Sequence, residues 1–340
     1  MFENQLSRFG SISKSYPMSP TGRVFFAVHS SAEHVSSSTA GWLAEVQNEF
    51  PVDKDGVTRV HSTMQAAHDA TASGRGDIVY VGPGKWKEEV LVTNIGVRFI
   101  GPGIGGSGYD GARIRMSDAS THYAIGSLTL GASQGAGFTV IAKGVEITGF
   151  YFDGGGGYSG VYIGGGLYST SSGYTTGNSS GGWIHHNFFR GGSEGDFGIF
   201  SDGPRFGCIF EDNIFERQTE AAIYLTPGNA SNECTVIRRN TFLADNAGYG
   251  IYMYGGANSA IGCLIYENYF GDRTSHAFTY AIYNVAGSTG VISVMNNFFA
   301  CANTVKLLTT DFTSGNHYGW AGSATEASNY FITEDAAGAD

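Results

Sequence analysis

Charge is scarce in this 340-residue chain. Only 14% of it is Asp, Glu, Lys or Arg, and 19 basic residues against 30 acidic ones leave a formal net charge of −11. So few cations argue against a surface that tracks nucleic-acid phosphates. Proline is also scarce, with 7 residues, and no Gly-X-Y period accompanies the 52 glycines, which excludes collagen. Long runs without Asp, Glu, Lys or Arg, such as 119–142 and 274–305, are full of Gly, Ser, Thr and Asn, so none reads as a membrane span. The start, MFENQLSRFG, has an acid at Glu3 and no continuous apolar core. No Sec-type signal peptide is therefore expected, and synthesis in a cytoplasm with release by another route is. The four cysteines form no CxxC and there is no HExxH, so no metal or cofactor is expected.

Aromatic residues and glycine are plentiful. The 23 Phe, 19 Tyr and 4 Trp supply more apolar surface than a disordered chain has. Glycine is at roughly twice its usual share of about 7% and needs a structural reason.

The second half repeats itself. The segments WIHHNFF, IFEDNIF, VIRRNTF, LIYENYF and SVMNNFF align on Asn187, Asn213, Asn240, Asn268 and Asn297, at spacings of 26, 27, 28 and 29 residues. Two positions on stand Phe189, Phe215, Phe242, Phe270 and Phe299; three positions before stand Ile184, Phe210, Ile237, Ile265 and Val294. VEITGFYFDG matches with Val145, Ile147 and Phe152, Phe150 replacing Asn, and Val97, Phe99 and Ile104 make a weaker match upstream. A further column, 10 to 14 residues after each Asn, holds Val161, Ile199, Ile223, Ile251 and Ile282, each followed by an aromatic: Tyr162, Phe200, Tyr224, Tyr252 and Tyr283. Each repeat therefore has two or three short strands and no helical period, cannot bury its own face, and must stack on its neighbours.

Stacked rungs about 4.8 Å apart would put the Phe column ring on ring and let the Asn column pass hydrogen bonds between rungs. That combination resembles the right-handed parallel β-helix, the pectate-lyase-like superfamily, over roughly residues 77–310. The expected fold is all-β: a single-stranded right-handed parallel β-helix with a small N-terminal α/β cap. Residues 1–60 are expected to be an anchoring segment, with a strand at Arg23 to Val28 and a helix at Thr39 to Phe50. Residues 61–76 are expected to hold a capping helix begun by Ser62 or Thr63 and packed through Met64, Ala67 and Thr71, and residues 77–340 the coil. Thr63-Met64-Gln65-Ala66 and the run Val79 to Glu88 are similar to the opening of many β-helix proteins.

Cys208 and Cys263 lie in one inward column with Thr235 between them. Two rungs is about 9.6 Å, beyond the roughly 7 Å reach of a disulfide, so the cysteines, Cys234 and Cys301 included, read as small buried residues. Asp53-Lys54-Asp55-Gly56 lacks the later Glu of a calcium loop and reads as a turn.

A reaction centre would need acids on one outward column. The position two before each Asn reads His185, Glu211, Arg238, Tyr266 and Met295; the next reads His186, Asp212, Arg239, Glu267 and Asn296. His185, Glu211 and Arg238, with Asp212, could hold an acidic sugar and move a proton, whereas the simpler reading is a row of solvated ion pairs. Glu194, Asp196, Asp202 and Glu216 are further carboxylates in reach. The chain lacks the Asp-Asp and Gly-His-Gly motifs of polygalacturonase-like hydrolases and the Arg-x-Pro-x-x-Arg of pectate lyases. GKWKEEV is similar to an early pectin-esterase motif whose later partners are missing, which leaves Glu88 as a rung residue.

If Val161 and its column point inward, Tyr162, Phe200, Tyr224, Tyr252 and Tyr283 point outward. The small residues before them, Gly160, Gly198, Ala222, Gly250 and Ala281, would leave the rings bare, as a self-association face or a platform for sugars. The chain resembles the β-helix proteins of phage tails and capsids, which implies a virion location and a homotrimer. The expected function is a non-enzymatic decoration or spike protein, joined through residues 1–60 to a capsid or tail protein and in contact with surface polysaccharide; the alternative is a polysaccharide lyase or glycoside hydrolase.

Overall fold

In a computed structural model the chain winds as a right-handed parallel β-helix. The structure describes residues 22–28, 42–53, 55–86, 88–103, 112–115, 136–153, 159–164, 167–170, 173–176, 179–191, 197–202, 205–226, 232–244, 248–254, 260–272, 277–284, 292–300, 307–309 and 330–332. Each full rung supplies one strand to each of three sheets. Trp183–His185 lies in a ten-stranded sheet, Phe188–Arg190 in a nine-stranded sheet and Phe197–Asp202 in an eight-stranded sheet, and Ile209–Glu211 then begins the next rung. The strand pairs in all three sheets are parallel, and parallel crossovers of this kind are right-handed almost without exception.

The columns found by spacing are the columns in register. Phe25, Val79, Phe99, Ile147, Ile184, Phe210, Ile237, Ile265 and Val294 pair in turn across the ten-stranded sheet, all with side chains in the coil interior. The rings of Phe152, Phe189, Phe215, Phe242, Phe270 and Phe299 stack with centroids 4.6 to 5.0 Å apart and planes within 7°. That separation is the strand spacing itself, so identical rings in consecutive rungs meet without any adjustment of the backbone.

Two corners set the turn of each rung. Before the ten-stranded sheet, Gly96, Gly144, Gly181, Gly207, Cys234 and Gly262 all have φ between 53° and 71°, the left-handed region that glycine enters at no steric cost. After it, His186, Asp212, Arg239, Glu267 and Asn296 take φ of 51° to 57° despite their side chains. The ladder asparagine that follows compensates: the backbone N–H of Asn213 donates to Asn240 Oδ1 at 3.0 Å, while Asn240 Nδ2 donates to the carbonyls of Phe210 and Arg238. The same handover recurs from the N–H of Phe150 down to Asn297. From Phe150 to Asn268, each backbone N–H of this seam has the side-chain oxygen of the next rung's Asn as its acceptor.

The N-terminal end departs from the expected boundary. Val24–Ala27 is a strand of the ten-stranded sheet, inserted between Val60–His61 and Ile78–Val81, so the sheet begins inside residues 1–60. Helix Trp42–Glu49 packs Val46 over the outer side of these strands against Val24, Phe26, Val60, Ile78 and Tyr80. A second helix, Met64–Asp69, starts at Thr63, whose hydroxyl accepts the N–H of Ala66. Its Met64 and Ala67 close the end of the interior, with Thr71 buried just beyond the helix. Glu88 is more than a rung residue, because its carboxylate accepts the N–H groups of Met64 and Gln65 at the helix start. Asp53 does form a turn: Oδ1 accepts from the N–H of Asp55 and of Val57, and Arg59 holds Oδ2. Among the described residues no helix is long and apolar enough to cross a membrane.

Candidate functional site

The outward polar row of the ten-stranded sheet is one candidate. The register places His185 beside Glu211 and Glu211 beside Arg238, on three successive rungs. Glu211 is buried, and its oxygens are taken: Trp183 Nε1 donates to Oε1 at 2.7 Å, while Arg238 Nε and Arg239 Nη2 donate to Oε2 at 2.5 and 2.7 Å. Burial works against the ionised carboxylate, but the hydrogen bonds from Arg238 and Trp183 and the two guanidinium charges outweigh it and hold Glu211 below the ordinary range. Asp212 is gripped bidentately by Arg239, which lowers it likewise. Arg238 also donates to the hydroxyl of Tyr266. These carboxylates stay charged and paired, the opposite of what a proton donor at neutral pH needs.

His185 is buried one rung up, its ring 4.0 Å from that of Trp183. Its Nε2 faces Glu146 Oε1 at 3.2 Å, and Glu146 is in turn clamped by Arg98. Its Nδ1 lies 2.8 Å from Nδ1 of His186. This contact is a hydrogen bond only if one of the two nitrogens holds the proton and the other the lone pair. Asp202 is buried on the eight-stranded sheet, where it accepts the hydroxyl of Tyr162 at 2.9 Å, and Glu216 sits beside Arg190 in register. Glu194 and Asp196 lie outside the described residues, as does Cys301. Cys208 and Cys263 are buried, with thiols turned to the carbonyls of Ser179 and Asn232. Cys234, expected to be buried, is exposed because it occupies the left-handed corner otherwise held by glycine.

The aromatic column of the eight-stranded sheet is the second candidate. Tyr162, Phe200, Tyr224, Tyr252 and Tyr283 pair in register, but they do not form a bare stripe. Tyr162 and Phe200 are each only 3% exposed, packed with Ala136, Phe197 and Tyr224, and the other three are half-buried. The small residues before them serve the interior. A Cβ on Gly160 would come within 2.6 Å of the Phe189 ring, one on Gly198 within 2.6 Å of Phe215 and one on Gly250 within 2.9 Å of Phe270. Their size makes room for the Phe ladder, while the outer rings cover one another.

Spacing alone missed part of this face. Phe197, Tyr249 and Tyr280 stand three before the aromatic column, and Tyr254 two after it; the repeat of an aromatic three residues ahead of Phe200, Tyr252 and Tyr283 was the available signal. Tyr249 stacks on Tyr252 at 4.6 Å, Tyr280 on Tyr283 at 5.0 Å, and Tyr252 on Tyr283 at 5.2 Å with planes 3° apart. Burial pushes the Tyr252 phenol up to about 12 and raises Tyr249 and Tyr224 as well, so all three are neutral donors at physiological pH.

Three parallel sheets, an internal Asn ladder and a capped end define a single-stranded parallel β-helix. Within that class, residues 87–335 match the family described as periplasmic copper-binding protein (NosD), and the chain belongs to that family. A comparison with curated proteins finds no match. Similar solved structures include ORF18 of Geobacillus virus E2, at 14% identity and TM-score 0.41, covering 77% of this chain and 54% of ORF18, so the chain spans about half of that protein's length. The alginate lyase of Paenibacillus sp. str. FPU-7 is 12% identical with TM-score 0.39, over 72% of this chain and 94% of the lyase. A tailspike protein mutant of E. coli bacteriophage HK620, in complex with a pentasaccharide, is 13% identical with TM-score 0.37, over 66% and 47% of the two chains. Such likeness concerns the coil and nothing finer. The copper of the family's description finds no fitting site in the described residues: no three His, Cys, Asp or Glu side chains converge on one point, and the two buried thiols donate to carbonyls on different rungs.

Proposed function

We propose that this chain is a structural, non-enzymatic surface protein of a bacteriophage virion, a capsid decoration or a tail spike, that assembles as a homotrimer through its eight-stranded sheet. The observation that carries this reading is the state of the polar row. Glu211 and Asp212, the two acids placed between a His and an Arg on adjacent rungs, are both occupied, Glu211 by Trp183, Arg238 and Arg239 and Asp212 by Arg239. A hydrolase needs a carboxylate free to exchange a proton with the substrate, and a lyase a free base; in this row the carboxylates are paired, Arg238 is held by Glu211 and Tyr266, and His185 lies between Glu146 and His186.

The aromatic face favours a protein partner over a stacked sugar. Tyr249, Tyr252, Tyr280 and Tyr283 turn their ring faces to each other, with planes 3° to 26° apart. A sugar platform presents ring faces to the ligand, whereas this array leaves edges and hydroxyls for a copy of itself to interlock with.

Size-exclusion chromatography with light scattering tests the assembly: a trimer for the wild type and a smaller species for a Tyr252→Ser/Tyr283→Ser variant are expected, and a monomer for both overturns it. In parallel, the viscosity of capsular or pectin-like polymer should be unchanged by the protein. A fall in viscosity that Glu211→Gln abolishes would establish the lyase or hydrolase instead. Mass spectrometry of purified particles tests the virion location.

A further inference from the structure

At the N-terminal end the eight-stranded sheet has an edge, Val90–Val92, whose outward backbone groups would be open for pairing. Side chains of helix Met64–Asp69 cover it. Gln65 acts as a short stretch of strand, its Oε1 accepting the N–H of Leu91 at 2.8 Å and its Nε2 donating to the Leu91 carbonyl at 3.3 Å. One turn on, His68 Nε2 accepts the N–H groups of Thr93 and Asn94 at 3.2 and 3.4 Å. Asn94 answers through Nδ2, which donates to Thr71 Oγ1 and to the Thr71 carbonyl.

His68 is 1% exposed and its ring lies parallel to Phe99. Because Nε2 receives two N–H groups it must hold the lone pair, which leaves the ring proton on Nδ1, facing Asp69 Oδ1 at 3.1 Å. A second proton has only Nε2 to go to, and there it confronts two donors and breaks both bonds.

We propose that helix Met64–Asp69 is an acid-released latch: protonation of His68 at Nε2 undocks it from Thr93 and Asn94 and uncovers the edge strand Val90–Val92.

The charged and titratable surroundings of His68 are few. On its own helix Asp69 favours the charged ring. From the turn before the edge strand, Glu88 is engaged with the helix N–H groups, and from Val60–His61 comes His61, bonded to the Thr58 carbonyl. Val24–Ala27 and Val90–Val92 bring no ionisable group, Ile78–Val81 brings only Tyr80, whose ring packs with Phe26 in the outer cluster, and Arg98–Ile100, whose Phe99 stacks on the His68 ring, brings Arg98, which is bound to Glu146. Burial lowers His68 from the ordinary 6.5 and outweighs Asp69, which works the other way. The closed latch therefore binds protons more weakly than the open one. Its stability is complete above about pH 6.5 and is lost as the pH falls below that through the depressed value.

Hydrogen exchange of the full chain, followed by mass spectrometry at pH 7.5 and 5.0 and corrected for the chemical exchange rate, reads the latch directly. The segments 63–71 and 88–95 should exchange faster at pH 5.0, by up to about tenfold per pH unit below 6.5, while 209–216 keeps its protection. His68→Gln retains an acceptor that does not titrate and should abolish the pH dependence. Asp69→Asn removes the carboxylate that eases the charged ring and should enlarge the loss at pH 5.0. Equal protection at both pH values in the wild type overturns the proposal, and so does an undiminished pH response in His68→Gln, which would assign it to His61. In the event that His68→Gln does not fold, an Asp69→Asn response no larger than the wild type's overturns it too.

Discussion

Replacing Asn240 by Ala removes the middle of the Asn ladder. Its Oδ1 accepts from both the backbone N–H and the side-chain Nδ2 of Asn213, and its own Nδ2 donates to the carbonyls of Phe210 and Arg238 and to Asn268 Oδ1. Asn213 Nδ2 keeps the Ile184 carbonyl, and Asn268 Oδ1 keeps the Asn240 N–H. The Asn213 N–H loses its acceptor and the Phe210 carbonyl its side-chain donor, while the Arg238 carbonyl keeps the N–H of Asp212 at 3.3 Å. At about 1–3 kcal/mol for each of these two buried groups, the variant should lose about 2–6 kcal/mol. Asn187→Ala should lose about 1 kcal/mol less, because Phe150 stands above it and asks only for one acceptor, at its N–H. Asn240→Asp should not rescue, since its second oxygen would face two carbonyls. Guanidinium unfolding followed by tryptophan fluorescence gives the midpoint shift, and hydrogen exchange at the Asn213 amide locates the damage. A loss below about 1 kcal/mol for Asn240→Ala would refute the ladder as the source of stability.

Gly198→Ala should cost about 2–3 kcal/mol in the same unfolding assay, because its Cβ would meet the Ala222 carbonyl and the Phe215 ring, both at 2.6 Å; Gly207→Ala, with nothing nearby, should cost only the left-handed strain of about 1–2 kcal/mol. Cys234→Gly should raise stability by about 1 kcal/mol, since glycine holds every other described position of that corner; a fall in the unfolding midpoint would contradict this. Stability should fall with acid in two steps. The first belongs to His68 and His61, both lowered by burial, sets in below about pH 6.5 and should shrink in His68→Gln. The second belongs to Asp77, Glu146, Glu211 and Asp212, whose folded values are depressed, so their contribution is present above about pH 4 and lost below it; a profile flat from pH 7 to 3 would exclude both.

The coil was legible because its repeat is written in residues whose side chains meet their own kind. Asn and Phe two apart, recurring at 26 to 29 residues, fix register once stacking is assumed, and the same arithmetic placed Val161, Ile199 and Ile223 in one column. Facing was harder to read. Strict alternation put Gly160, Gly198 and Gly250 outside, yet a Cβ on any of the three would meet a ring of the interior Phe ladder, and the outer rings cover one another instead of being left bare. The end of the coil was read in part. The strand and both helices were visible, but the parallel pairing of Val24–Ala27 between two strands later in the sequence leaves no local signature. Nor could spacing reveal that Glu88, Gln65 and His68 meet, because these contacts span 23 to 26 residues outside the repeat.

The Asn ladder makes length a countable quantity. Each rung receives from the one before it the same bonds that it hands to the next, so a rung inserted between two others meets an acceptor above and a donor below that already fit it. One more repeat lengthens the body by about 4.8 Å and leaves both ends chemically as they were. A coil of this kind can serve as a ruler, its reach from the capped end set by the number of repeats and independent of the loops each repeat displays.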